Sequence, residues 1–295
     1  MSQFLQVMMS GLAIGSIYAL AAIGFTLVWQ AARTVNFAQG EFVMLPAFFV
    51  LVGTHVLHIP LWAALLFAMA LSVFILGFVF KKLVVEPILP SGGISLIIAT
   101  MALGILLKES VKEFYGAEAQ PYPSMFPNDP IEVFGAVVSM QDILNLVISL
   151  GIVVLLTLFL NRTRTGRCMQ ATAQNPAVAE ILGVNVRRMI LYAFLINAAL
   201  AALAALASFL ITPVYLAKFS NGETLGLIAF IAAIVGGFNQ IRGALAGGLL
   251  IGVLDNLTAT YVTAEYRAAL PLVLLIVIIL VRPQGLLGTS DGRTV

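Results

Sequence analysis

Charged residues are scarce in this sequence: Asp, Glu, Lys and Arg together make up 9% of its 295 residues, against about 25% in soluble domains. Hydrophobic residues make up 61%, and the mean hydropathy is +1.07. This shortage of charge excludes an ordinary soluble domain and predicts an integral membrane protein. Segments of alternating polarity are also missing, so the sequence favours membrane-spanning helices over a barrel.

Cysteine, histidine and catalytic motifs are equally sparse. Cys168 is the only cysteine, which excludes an internal disulfide and any Cys-based metal pattern. His55 and His58 have the spacing of a metal-ligand pair, but no carboxylate or cysteine lies beside them and Pro60 follows, which favours a surface loop. The phosphate-binding pattern GxxxxGK[ST], HExxH and a nucleophile elbow are all absent. We therefore expect no enzymatic site and no metal site in this chain.

Long apolar runs dominate what is present, and most are long enough to cross a hydrocarbon core of roughly 30 Å. They predict an all-α, polytopic helical membrane protein with about 8–9 membrane segments in a single transmembrane domain over residues 1–295. With the N-terminus outside and the C-terminus inside, eleven of the fifteen Lys and Arg residues lie on the cytoplasmic side. This asymmetry agrees with the positive-inside rule.

A polar segment at residues 162–188 separates two of these runs. It carries five of the fifteen Lys and Arg residues, so the positive-inside rule places it in the cytoplasm. Asn175-Pro176 is typical of a helix start and Gly183 of a helix end. The predicted two-turn helix is either a connector on the membrane surface or a docking helix for a cytoplasmic partner. Three apolar residues share one side of it. They are Val178, Ile181 and Leu182.

Residues 108–142 form the longest segment predicted to face outward. Its acidic side chains outnumber Lys108 and Lys112, and only an excess of Lys and Arg marks the cytoplasmic side. We expect a loop that either caps the bundle or offers a surface to an extracytoplasmic partner.

Polar residues interrupt the apolar pattern after the first run, with almost no loop. Asn36, Gln39 and Glu41 follow Arg33 there, although a charged group at the bilayer centre costs about 2.5–3.5 kcal/mol on insertion scales. One interpretation is a short turn at the membrane surface, where Arg33 extends toward the headgroups. The other is a broken or re-entrant element that lines the translocation path of a solute.

A second interruption of the same kind occurs nearer the C-terminus, around Asn239, Gln240 and Arg242. The pair of interruptions suggests an internal repeat. Asp255 lies within the following apolar run and requires a partner or a water-filled cavity. We therefore assign six residues to a polar path for a small zwitterionic or amide-bearing solute. They are Asn36, Gln39, Glu41, Asn239, Gln240 and Asp255.

Glycines with GxxxG spacing recur in the apolar runs. This spacing lets membrane helices approach closely, and its repetition predicts a tightly packed bundle. The glycines expected at helix contacts are Gly11, Gly15, Gly243, Gly247, Gly248 and Gly252; Gly222 and Gly226 share the spacing.

Four stretches together resemble the permeases of branched-chain amino-acid ABC transporters, of the LivH-like type. They are GLAIGSIYALAAIGFTLVWQAARTVNFAQGEF, TRTGRCMQATAQNPAVAEILGV, LGLIAFIAAIVGGFNQIRGALAGGLLIG and VRPQGL. The resemblance extends from about Gly11 to Gly288, in order and without a large insertion. Permeases for urea, short amides and other small organic solutes look similar, so the motifs are specific for the family and much less specific for the solute.

The resemblance implies a multi-pass permease of the cell inner membrane, with its C-terminus in the cytoplasm. It implies import of a small polar solute, above all branched-chain or related amino acids. A periplasmic solute-binding protein would deliver the solute and a second related permease subunit would complete the path. Two cytoplasmic ATP-binding subunits would bind ATP and Mg, so this chain would hold no cofactor. No nucleic-acid partner is expected.

The cytoplasmic segment of such permeases docks into a groove on the ATPase. The resemblance assigns this coupling role to Gln174, Asn175, Pro176, Ala179, Glu180, Gly183 and Val184.

The chain departs from the family pattern at two places. Gln39 stands where the family often has His, and Pro46-Ala47-Phe48 stands where it has a Gly-Ala-Tyr-like sequence. Both changes weaken the case for leucine itself as the solute. The open alternatives are urea or short amides as solute, a purely structural subunit, and an ion-coupled secondary transporter that uses carboxylates such as Glu41 and Asp255.

Overall fold

The computed structural model describes residues 2–120, 130–133, 136–208, 216–267 and 269–288 of the chain. Nearly all regular structure in them is helical, as the apolar runs predict. One antiparallel pair of short strands, with Pro130 opposite Ser139, is an addition that the sequence did not predict. The elements are α1 (Ser2–Ala32), α2 (Gln39–Leu51), α3 (Leu61–Ser72), α4 (Glu86–Ile88), α5 (Gly93–Tyr115), β1 (Pro130–Val133), β2 (Ala136–Ser139), α6 (Met140–Arg162), α7 (Arg164–Gln174), α8 (Pro176–Ile181), α9 (Val186–Leu206), α10 (Asn221–Gly236), α11 (Ile241–Tyr261) and α12 (Ala269–Val281).

Seven helices in the described residues are long and apolar enough to cross a membrane. Two of them are extended by π-helical turns: α2 continues to Val56, and α3 continues through α4 to Ser91. Two shorter apolar helices accompany them in the described residues: α10 has 16 residues and α12 has 13. The predicted polytopic helical fold is therefore confirmed.

Helix α1 lies at the centre of the bundle. Its spanning part is 89% buried, and it packs against α6, α9, α10 and α11. Side chains from Ile17 to Val28 are enclosed on every side. This explains why the apolar residues of α1 follow no single helical stripe.

The six glycines predicted to pack helices lie at two contacts of α11. Where α1 crosses α11, a β-carbon added at Gly15 would lie 2.9 Å from the carbonyl oxygen of Gly248, too close for any side chain. Where α10 meets α11, Gly247 lies in the same way against the carbonyl oxygen of Ala232. Gly243 shares the α10 contact. We name the first contact the α1–α11 seam. Its glycines are Gly11, Gly15, Gly248 and Gly252.

Helices α5, α6 and the continuous helix from α3 to α4 lie at the periphery. Only 22–33% of their spanning parts is buried, and they expose large apolar side chains such as Leu83, Ile94 and Leu155. In a membrane protein such faces meet lipid or the apolar surface of another subunit.

Part of the range 108–142, predicted to be an outward-facing loop, is helical. Helix α5 continues to Tyr115, because Val111 is buried and Lys108 forms an ion pair with Glu223 that neutralises its charge. At the other end, α6 begins at Met140. Residues 121–129 and 134–135 of the predicted loop lie outside the described residues.

The polar segment at 162–188 folds into α7 and α8. The α8 helix is the predicted one: Asn175 Oδ1 accepts a hydrogen bond from the Val178 amide at 3.2 Å, and Gly183 has a φ of +84° after the helix. Helix α7 was not predicted. The same end of the bundle carries Arg33, whose guanidinium donates to the carbonyl oxygen of Ala173. We call it the basic end.

Candidate functional site

The first polar interruption is a helix break inside the bundle. After α1, Arg33 has a left-handed backbone with a φ of 52°, and α2 begins only at Gln39. The intervening chain lies against α5, where the Phe37 amide donates to Thr100 Oγ1 at 3.1 Å. A β-carbon on Gly104 would lie 3.6 Å from the chain just before α2. Because Gly104 is near the middle of α5, α2 starts well inside the apolar layer, as in a broken element and not a surface turn.

Helix α10 begins at the same depth, beside the start of α2. A β-carbon on Gly40 would collide with the carbonyl oxygen of Gly222, and one on Gly226 would lie 2.7 Å from the Gly40 Cα. The glycines thus let two helix starts touch through their backbones. Neither start has a side-chain cap, so both contribute first-turn amides with partial positive charge. We name this contact the α2–α10 junction. Its residues are Asn36, Gln39, Gly40, Glu41, Gly222, Glu223 and Gly226.

Glu41 is the buried acid of the junction. It is 6% exposed, its Oε2 atom has no hydrogen-bond partner, and its carboxylate lies against Gly222. Glu41 interacts electrostatically with Lys108 and Glu223, whose side chains pair with each other at 2.5 Å. Because Lys108 is already paired, the carboxylate of Glu41 has no cation of its own.

Asn36 lies immediately before α2, and only one of the two polar atoms of its side-chain amide is hydrogen-bonded. Asn36 Oδ1 accepts a hydrogen bond from the Ala38 amide at 3.1 Å, whereas Asn36 Nδ2 has no partner. The residue is 2% exposed, and an unpaired buried donor costs about 1–3 kcal/mol. The junction therefore includes an unpaired donor, Asn36 Nδ2, and an unpaired acceptor, Glu41 Oε2.

Gln39 has a different role, because its carboxamide is fully paired. Gln39 Nε2 donates to Asn197 Oδ1, and Asn197 Nδ2 donates back to Gln39 Oε1, both at 2.8 Å. Both residues are completely buried. A β-carbon on Gly24 of α1 would collide with this pair. The pair joins the start of α2 to α9 and engages both polar atoms of the Gln39 carboxamide.

Asn239 and Gln240 lie elsewhere, at the basic end. Trp29 Nε1 donates to Asn239 Oδ1 at 3.1 Å, and Gln30 Nε2 donates to the Asn239 carbonyl oxygen at 2.6 Å. A cavity of about 700 Å³ adjoins them, lined mainly by carboxamide and arginine side chains. Its lining includes Gln30, Arg33, Asn161, Gln174, Gln240 and Arg242.

Asp255 lies toward the end of the bundle where α1 begins. Arg267 donates from Nε and Nη2 to the two oxygens of Asp255, each at 2.7 Å, and the Tyr18 hydroxyl donates to Oδ2 at 3.3 Å. The predicted requirement for a partner is thus met within the chain. The structure does not bring the six predicted path residues together: three lie at the junction, two at the basic end, and Asp255 is ion-paired.

The predicted coupling residues lie in and around α8, at the basic end. Ala179 is buried, whereas Gln174, Asn175, Pro176, Glu180 and Gly183 are exposed and Val184 is partly exposed. Three apolar side chains of this segment are also open to solvent. They are Val178, Ile181 and Leu182, with Ile181 85% exposed.

Thr100, Lys108, Asn197 and Glu223 contribute to the junction but were not singled out from the sequence. Asn197 is an isolated polar residue within an apolar run, which is a usable signal for a functional or pairing role. Lys108 and Glu223 were attributed to polar segments outside the runs. Only the folded chain brings them next to Glu41.

Known proteins resemble the chain along its whole length. Residues 7–279 match the family described as "Branched-chain amino acid transport system / permease component". The high-affinity branched-chain amino acid transport system permease protein BraD of Pseudomonas aeruginosa is 31% identical over 304 residues, covering 99% of this chain and 98% of that protein. LivH of Salmonella typhimurium, a permease protein with the same description, is 32% identical over 310 residues, with 99% and 98% covered.

A more distant relative is the probable branched-chain amino acid transport permease protein LivH of Methanocaldococcus jannaschii. It is 25% identical over 298 residues, covering 93% of this chain and 90% of that protein. A bundle of membrane-spanning helices with a polar break in its interior is the architecture that a permease requires. The chain belongs to the family of permease components of branched-chain amino acid transport systems.

Proposed function

We propose that this permease moves branched-chain or related amino acids into the cytoplasm, driven by ATP that other subunits hydrolyse. The α2–α10 junction is the observation that carries the proposal. It is a helix break in the middle of the bundle, and it holds a buried carboxylate and a buried amide with unpaired atoms. Unpaired polar atoms cost free energy in the apolar layer unless a polar solute forms hydrogen bonds with them.

The face that carries Glu223 supports a path shared with a second permease subunit. The side chain of Glu223 is 61% exposed. Its partner Lys108 lies two helical turns, or about 10 Å, before the end of α5, so the ion pair is well below that end of the bundle. An exposed ion pair at this depth is unfavourable against lipid. Water or another subunit covering this face would remove that cost.

The basic end suits the cytoplasmic side. It carries Arg33 and the basic residues of 162–188, as the positive-inside rule requires. The chain after α12 returns to this end, because the Leu286 and Leu287 amides donate to the carbonyl oxygens of Val235 and Gly236. The C-terminal side of α12 is therefore assigned to the cytoplasm.

The same end carries α8, whose exposed apolar side chains offer a surface that another protein would cover. We assign it to a pair of ATP-binding subunits, which would hold the ATP and Mg. A periplasmic solute-binding protein would load the path from the opposite side. On this assignment the chain itself needs no cofactor and catalyses no reaction.

Uptake into proteoliposomes that contain the complete transporter tests the proposal. Labelled leucine, isoleucine and valine should enter only when ATP and the binding protein are supplied. A proton ionophore should leave uptake unchanged. Uptake that ceases with the ionophore, or that is confined to urea or short amides, would overturn the proposed energy source or the proposed solute.

A further inference from the structure

The α2–α10 junction contains complementary unpaired groups, one just before α2 and one in its first turn. Glu41 Oε2 is a carboxyl oxygen that accepts hydrogen bonds, and Asn36 Nδ2 is a donor; both residues are more than nine-tenths buried. The start of α2 also lacks a side-chain cap; the Gln39 amide donates to the Asn36 carbonyl oxygen, and the Gly40 and Glu41 amides are further donors in the first turn. A carboxyl acceptor beside these donors matches the ammonium and the carboxylate of an amino acid.

We propose that the junction binds the backbone groups of the transported amino acid: Glu41 Oε2 receives the ammonium, and Asn36 Nδ2 with the first-turn amides of α2 receives the carboxylate. This inference rests on the proposed function and names the residues that would select its solute. A helix N-terminus favours a carboxylate through its partial positive charge. A buried carboxylate attracts an ammonium more strongly than an exposed one does, because the low effective dielectric constant of the interior strengthens the attraction between opposite charges.

The ion pair between Lys108 and Glu223 leaves Glu41 available for the solute. The ammonium of Lys108 is the cation of this chain that interacts electrostatically with Glu41, and it is held by Glu223 at 2.5 Å. The Lys108–Glu223 ion pair thus keeps the carboxylate of Glu41 uncompensated. If Glu223 lost its charge, Lys108 would pair with Glu41 and compete with the ammonium of the solute.

This competition gives a test with single and double variants of the complete transporter in proteoliposomes. The readout is the maximal rate of labelled leucine uptake with saturating binding protein and ATP. E41Q should lower the rate by about tenfold or more, the loss expected when a hydrogen bond to a charged group is removed. E41D keeps the charge and should retain more of the rate than E41Q.

E223Q should also lower uptake, although it removes a residue on the exposed side of the junction. Adding K108Q to E223Q should restore the rate to within about threefold of the wild type, because no competing cation then remains. E109Q is the matched control: Glu109 is on the same helix, is 54% exposed in its side chain and forms an ion pair with Lys112. It should leave uptake unchanged.

The outcomes separate a binding role from a structural one. A normal rate in E41Q, or a double variant K108Q/E223Q no better than E223Q alone, would overturn the inference. The yield of assembled transporter should match the wild type in every variant; a parallel loss of yield and uptake in E41Q would assign Glu41 to folding instead. If the wild type itself takes up no branched-chain amino acid, the proposed function fails, and the inference fails with it.

Discussion

The α1–α11 seam and the α2–α10 junction are both glycine contacts between helices, and each has a buried carboxylate nearby. Beside the seam, Asp255 receives three hydrogen bonds, two of them from Arg267. At the junction, Glu41 Oε2 receives none. The sequence analysis assigned both acids to the same polar path, Glu41 from a polar interruption and Asp255 from within an apolar run. On the proposed assignment, partners and not burial alone separate a structural acid from one that is free to bind a solute.

This comparison predicts that variants near the seam lose stability, whereas variants of the unpaired junction groups lose transport. D255A should have the largest effect on stability, a loss of about 3 kcal/mol, because Arg267 and Tyr18 lose the hydrogen bonds that they donate to Asp255. Unfolding of the purified protein in detergent measures it. Adding R267L should recover part of the loss. If the double variant were less stable than D255A, the contribution of Arg267 to stability would not depend on Asp255.

The seam itself is tested by G248A. Its methyl group would collide with the backbone of Ala19, and overpacking of this kind costs about 1–3 kcal/mol. G151A on α6 is the matched control, since a β-carbon there meets nothing within 4 Å. It should be neutral or slightly stabilising, because Ala favours a helix more than Gly does. Equal melting temperatures for the two variants would contradict the close packing of the seam.

Variants of the paired Gln39 and Asn197 amides at the junction should lose stability, as variants of the seam do. Q39L leaves both polar atoms of the Asn197 amide unsatisfied, at a cost of about 1–3 kcal/mol. The double variant Q39L/N197L removes both partners and should regain most of the stability. If Q39L unfolds like the wild type but loses transport, Gln39 contacts the solute and the assignment of its amide to structure is wrong.

The smallest effect on stability is expected for E180K, because Glu180 is exposed on α8. The variant should insert and melt as the wild type does. Affinity purification from gently solubilised membranes should nevertheless recover less of the ATP-binding subunits. Failure of the variant to insert would mean that the charge of this segment serves membrane topology and not docking.

Local signals in the sequence predicted local structure well. The start of α8 at Asn175-Pro176 and its end before Gly183 depend on neighbouring residues only, so the pattern sufficed. The packing glycines were also identified, because their spacing is a property of one helix. Helix α7 was missed, although Thr163 is a good N-cap whose hydroxyl accepts from the Gly166 amide at 3.0 Å.

Contacts between distant parts of the chain were not predictable in the same way. Glu41 and Gly222 are far apart in sequence, and nothing in their spacing indicates that two helices begin side by side. The partner of Asp255 is Arg267, which lies beyond the end of α11 and was interpreted only as an outward-facing charge. The six residues that the sequence assigned to one polar path therefore lie at three separate places in the fold.

The melting temperature of purified E41Q, measured beside D255N and the wild type, tests the central claim most directly. E41Q replaces a buried carboxyl group whose Oε2 atom has no hydrogen-bond partner, so E41Q should melt at or above the wild-type temperature, whereas D255N should melt well below it. If the melting temperature of E41Q fell as far as that of D255N, the claim would be contradicted, since Glu41 would then stabilise the fold as Asp255 does.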